Sequence, residues 1–199
     1  MAAGIIFCLV WVEGFVMATL THIAHESLSL PHHEVDWEDI SGSYQHLLIK
    51  VAARSDDTTG GTSYLSQFNL RFGNSSLDTG TNYSDTYMGA YSSNTALAGR
   101  STGLNHIQRL WVPSSSVSGG TFGNMEIWIP NYTESNWKPV HVIGAADTWS
   151  DSTYEWGYIH VGGVWRSTSS ITHIQFEMYG GFDFVANSTF DLYGISGSA

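Results

Sequence analysis

The chain has 199 residues, the size of one undivided all-β domain. It carries 18 Asp+Glu against 7 Lys+Arg, a net charge of -11, which argues against phosphate backbones and anionic lipid headgroups as partners. Its one cysteine, Cys8, rules out an intrachain disulfide and a thiolate zinc site.

The opening residues, MAAGIIFCLVWVEGFV, contain an apolar run from Ile5 to Val12. That run is far short of the ~20 residues needed to span a bilayer. No Lys or Arg precedes it, so the basic start of a secretory signal is missing. The reading favoured here makes residues 1–16 an extension and starts the domain at Met17, giving one sandwich domain over 17–199.

Beyond Met17 the pattern is period-two alternation with no convincing helical period. Four segments alternate most clearly. In 44–54, Leu47, Ile49, Val51 and Ala53 share a face. In 124–132, Met125, Ile127 and Ile129 oppose Glu126 and Trp128. In 171–179, Ile174, Phe176 and Met178 oppose His173, Gln175 and Glu177. In 188–193, Phe190 and Leu192 oppose Asp191 and Tyr193. Weaker strands fit 20–25, 63–72, 83–91, 106–112, 138–146 and 155–164. Gly/Ser/Asn/Asp clusters separate them, and 92–103 and 113–120 are expected to be long exposed loops. The pattern predicts an all-β fold: an antiparallel, jelly-roll-like β-sandwich. Its core would be aromatic, since the chain holds 8 Trp, 10 Tyr and 9 Phe.

Candidate chemistry is sparse. His22 and His25 sit three apart in a strand, so they are expected on opposite faces and not as joint metal ligands. His32 and His33 are adjacent and read as solvated loop residues near Glu34 and Asp36. Asp36 and Glu38 would share a face if extended. Asp147 and Asp151 flank Trp149 in an arrangement that suits calcium oxygens or Asx-turns, with Asx-turns the preferred reading. No nucleophile elbow, P-loop or dinucleotide fingerprint is present. The sequence therefore predicts no enzyme, no cofactor and no metal site. Four glycosylation sequons, at Asn74, Asn82, Asn131 and Asn187, matter only in a secreted eukaryotic protein. Five tryptophans crowd the C-terminal half: Trp128, Trp137, Trp149, Trp156 and Trp165. Two readings stand for them. They form an exposed row for sugar rings, or they are core and subunit-interface residues, the reading weighted more heavily here.

From Met17 onward the chain resembles a recurrent family of small structural proteins of tailed phages, especially those of marine and freshwater bacteria. Met17-Ala-Thr-Leu-Thr-His-Ile-Ala24 resembles its opening strand. Tyr44-Gln-His-Leu-Leu-Ile-Lys-Val-Ala-Ala-Arg-Ser55 and Gln67-Phe-Asn-Leu-Arg-Phe-Gly73 resemble the next two. Ile127-Trp-Ile-Pro-Asn-Tyr132 is similar to a mid-chain strand, and Trp165-Arg-Ser-Thr-Ser-Ser-Ile-Thr-His-Ile-Gln-Phe176 to the penultimate hairpin. Phe190-Asp-Leu-Tyr-Gly-Ile195 resembles the C-terminal signature. The resemblance covers about 17–196, and its specificity lies in the order of the passages. It implies a jelly-roll-like virion component, a capsid cement or decoration protein ahead of a tail or fibre module. The partners it implies are the major capsid protein or tail proteins, with self-association as a homo-oligomer, a trimer on a capsid threefold. It carries over no catalytic residue. The rival is a tail-associated carbohydrate- or receptor-binding module built on the tryptophans.

Overall fold

The computed structural model describes residues 19–58, 64–91, 95–117, 120–148 and 155–196. Thirteen strands form among them. They run β1 (Leu20–Ser27), β2 (Glu34–Trp37), β3 (His46–Ala53), β4 (Leu65–Asn74), β5 (Ser76–Leu77), β6 (Tyr83–Tyr91) and β7 (Thr95–Leu104). Then come β8 (Ile107–Pro113), β9 (Gly123–Pro130), β10 (Lys138–Thr148), β11 (Glu155–Trp165), β12 (His173–Met178) and β13 (Thr189–Ile195).

Two antiparallel sheets pack face to face. The larger has eight strands in the order β1-β13-β3-β9-β10-β11-β6-β7. The smaller has the order β2-β12-β4-β5, with β8 also paired to β4. The chain crosses between sheets repeatedly, the jelly-roll-like feature expected from the sequence: β3 lies in the large sheet, β4 and β5 in the small, β6 and β7 in the large, β8 in the small.

Alternation builds the core. Leu47, Ile49, Val51 and Ala53 from β3 meet Met125, Ile127 and Ile129 from β9, all buried. Across the gap, Phe68, Leu70 and Phe72 of β4 and Ile174, Phe176 and Met178 of β12 close the sandwich. Rings interlock at its centre: Phe176 lies 5.3 Å from Phe190 and 6.0 Å from Phe68, and Phe184 lies 5.0 Å from Phe190. Such edge-on and tilted aromatic contacts add to the area they bury.

Three differences from the sequence reading stand out. Residues 95–104, expected within a long loop, form β7. It pairs with β6 at the edge of the large sheet; between Leu97 and Leu104, which packs against the core, its residues are small or polar, so no run of alternating apolar residues marks it in the sequence. β2, a four-residue strand also not expected from the pattern, pairs with β12. And β12 is buried on both faces: His173 and Gln175, expected on an open polar face, are each 8% exposed.

Candidate functional site

The outer face of the eight-stranded sheet is the broadest surface the fold presents, and its register can be followed strand by strand. One rung runs His22, Tyr193, Leu48, Trp128, His141, Gly162, Thr86, Arg100. The next runs His25, Asp191, Lys50, Glu126, Ile143, His160, Met88, Ala98. A third runs Ser27, Thr189, Ala52, Asn124, Ala145, Tyr158, Ala90, Ala96. Residues opposite one another on adjacent strands are close enough to interact, so each rung is a physical row.

The rows divide the face in two. On β1, β13, β3 and β9 the middle rung is ionic: His25 meets Asp191, and Lys50 lies 3.6 Å from Glu126. On β10, β11, β6 and β7 the middle and third rungs carry Ile143, His160, Met88, Ala98, Ala145, Tyr158, Ala90 and Ala96, without one Asp, Glu, Lys or Arg. Met88 is 64% exposed, Tyr158 42% and Ile143 36%. His141 and His160 approach to 3.4 Å through ring nitrogens, and the Tyr158 hydroxyl bonds the other ring nitrogen of His160. A Met/Tyr/Ile/His surface depleted of charge has the composition of a protein interface core.

The five tryptophans do not form a single exposed row. Trp165 is 2% exposed; it lies in the core 6.0 Å from Phe72, and its Nε1–H donates to Asp78 Oδ2 at 2.8 Å. The parity of β11 puts Trp165 with Ile159 and Val161 on the buried face, so for this ring the core reading holds and the exposed-row reading does not. Trp128 is half-buried on the outer face, 4.9 Å from the His46 ring. Trp137 precedes β10 and is 59% exposed. Trp156 contributes its backbone to β11, opposite Asp147. Trp149 lies outside the described residues, as does Asp151, so the calcium or Asx-turn arrangement around Trp149 falls there too.

The small sheet's outer face is a cross-linked polar layer. Arg71 Nη1 donates to Glu177 at 2.6 Å and to Gln175 Oε1 at 3.0 Å. Gln175 Nε2 donates onward to Glu34 at 3.1 Å. His173 bonds Asp36 at 3.0 Å, with Glu38 at 3.9 Å, so Asp36 and Glu38 do converge from one side as the sequence suggested. Burial pushes the Glu177 carboxyl up, but the bonds from Arg71 and Asn69 outweigh it and hold it below the usual carboxylate range. His32 and His33 are tied to backbone carbonyls, of Glu34 at 2.7 Å and Phe182 at 2.6 Å. Paired in this way, these groups bind the sheet together laterally.

His22 and His25 overturn the sequence reading. Ile23 has no partner in the β1–β13 ladder: His22 pairs with Tyr193, Ala24 with Leu192 and His25 with Asp191. This bulge adds one residue to β1 and restores the parity that a three-residue spacing breaks. Ile23 and Ala24 both pack toward the core, while both histidines reach Asp191 Oδ1, His22 Nε2 at 3.1 Å and His25 Nδ1 at 2.7 Å. Burial raises the Asp191 carboxyl, but these two bonds outweigh it and lower it overall.

Comparison with family models, with curated proteins and with solved structures returned no match for this chain.

Proposed function

We propose that the chain is a structural component of a tailed-phage particle, a capsid cement or decoration subunit that binds the shell and stabilises it. The observation that carries the proposal is the charge-free patch of Met88, Ile143, Tyr158 and His160 on a chain of net charge -11. A strongly acidic surface keeps subunits apart and away from packaged DNA. A neutral apolar patch within it defines where contact is allowed. The assignment to a phage particle rests on the ordered passages that resemble that family. Most of their length coincides with strands, chiefly β1, β3, β4, β9, β12 and β13, so the resemblance concerns the frame of both sheets.

The decisive experiment is copy number in purified particles, counted by quantitative mass spectrometry against the major capsid protein. Hundreds of copies are expected for a cement protein. Absence from particles overturns the reading. A few copies, together with glycan binding that is lost in Trp137→Ala, would instead identify a receptor-binding tail module, the reading favoured by the exposed ring of Trp137.

A further inference from the structure

We infer that His22, His25 and Asp191 form a binding site for a divalent transition metal of the zinc type, which clips the edge strand β1 to β13. Among the described residues this is the one place where three ligand-type side chains converge, with all donor atoms within 4.8 Å of one another. The inference does not depend on the assembly reading.

The bulge at Ile23 is what brings the two histidines together. A regular strand would send His22 and His25 to opposite faces. The extra residue brings both imidazoles to the outer face over the same carboxylate oxygen. Around a tetrahedral zinc ion with bonds of ~2.0–2.1 Å, neighbouring donor atoms sit roughly 3.3 Å apart. His22 Nε2 is 3.1 Å and His25 Nδ1 2.7 Å from Asp191 Oδ1. The first is already close to that spacing. The second needs an opening of about half an ångström, and the His25 side chain, 48% exposed, has room to swing outward.

The donor set selects the metal. Two imidazole nitrogens with one carboxylate suit Zn²⁺, Cu²⁺ or Ni²⁺, whereas Ca²⁺ and Mg²⁺ require oxygen cages. The His22 ring lies 5.1 Å from Tyr193, edge to face, which limits its rotation. The nearest cation along the rung, Lys50, is turned toward Glu126 at 3.6 Å. Three protein ligands leave one position for water.

The location gives the site a role. β1 is the edge of the large sheet, and its residues are intermediate or exposed throughout. Such a strand is the easiest to fray and the most open to pairing with foreign strands. A metal bridging His22 and His25 to Asp191 ties it down where side-chain packing is thin.

The test uses the full chain, stripped with EDTA and titrated with ZnCl₂ by calorimetry and thermal unfolding. One Zn²⁺ per chain is expected, with an unfolding midpoint raised by about 5–10 °C at a hundredfold excess over Kd. MgCl₂ should leave the midpoint unchanged. His22→Ala/His25→Ala should keep a near-native midpoint without metal and lose the zinc shift. His22→Gln retains a donor to Asp191 and removes only the metal ligand, so it should lose most of the shift while keeping the fold. An unshifted wild type overturns the proposal. So does an equal zinc shift in His22→Gln and the double variant, which would place the ion elsewhere, as at His141 and His160.

Discussion

Asp85 is the residue least at ease in the fold. It sits on β6, 2% exposed, beneath the rim of the sandwich. Its Oδ2 accepts a long bond from the Gln108 amide at 3.4 Å, and its Oδ1 has no hydrogen-bond partner. Arg109 is drawn into the same region by a bulge in the β4–β8 ladder. Its φ of 73° lies in the left-handed region, and its guanidinium stacks 4.3 Å from the Tyr87 ring. Burial raises the Asp85 carboxyl, and the Gln108 amide and the Arg109 charge only partly offset this. The sign follows directly. A carboxylic acid whose folded pKa is raised opposes folding at pH values above it, and the penalty fades as pH falls and the group protonates. Asp85→Asn is therefore expected to stabilise the protein at pH 7 by about 1 kcal/mol, the scale of one badly solvated buried polar group. Urea unfolding at pH 7 and pH 4 checks it: the gain should shrink at the lower pH, and a loss at pH 7 would refute the account. Trp165 is the opposite case. Its indole N–H is satisfied by Asp78, whose carboxyl is held low by bonds from Trp165, Asn82 and the Gly80 amide despite burial pushing it up. Trp165→Phe should cost about 1–3 kcal/mol, since it removes ring area and leaves the Asp78 carboxylate one donor short.

At the scale of elements, the last strand shows how sequence detail becomes geometry. Gly194 of β13 lies under the Tyr44 ring, and a Cβ there would sit 2.3 Å from the ring carbon Cγ. No side chain fits without displacing Tyr44, which itself packs against the core. Gly194→Ala is expected to destabilise by roughly 1–3 kcal/mol, the usual penalty for overfilling a packed site. Chemical denaturation measures that, and Gly194→Ala/Tyr44→Ala should recover part of the added strain. The strands with one packed face were legible in advance: β3, β9 and β13 show Leu47, Ile127 and Phe190 at strict alternation because one face meets the core and the other water. β7 was not, since between Leu97 and Leu104 its inward positions are Gly99 and Ser101, too small to write an apolar alternation. β12 was half legible. Phe176 announced the core, but nothing local announced that Glu34, Asp36 and Arg71 would cover His173 and Gln175 from other strands. The cluster at His22 and His25 was hidden for a related reason, because parity counting presumes a regular strand and the bulge at Ile23 is set by its packing against the core. For Trp165 the core reading could have been made specific, since it shares parity with Ile159 and Val161.

For the whole molecule, charge sets the terms of association. Two copies of net charge -11 repel, and the repulsion extends over a Debye length of ≈ 8 Å at physiological salt. Contact between copies, as proposed above, is favoured only where charge is absent and apolar area can be removed from water. The end of the large sheet carrying Met88, Ile143 and Tyr158 meets both conditions, and it borders the free edge of β7. If subunits meet there, added salt should strengthen self-association by screening the repulsion around a contact that is not itself ionic. An interface built of ion pairs would weaken instead. Met88→Glu/Ile143→Glu places two carboxylates in the patch without touching the core, since both side chains point to solvent. The variant is expected to keep the wild-type unfolding free energy within about 0.5 kcal/mol per site, as exposed substitutions do. If the wild-type chain self-associates through this face, the variant should also stay monomeric at concentrations where the wild type assembles. Light scattering at low and high salt reads both effects. A double variant that assembles as well as the wild type would move the contact surface off this face, leaving the polar layer of Glu34, Asp36, Arg71 and Glu177 on the small sheet as the place to look.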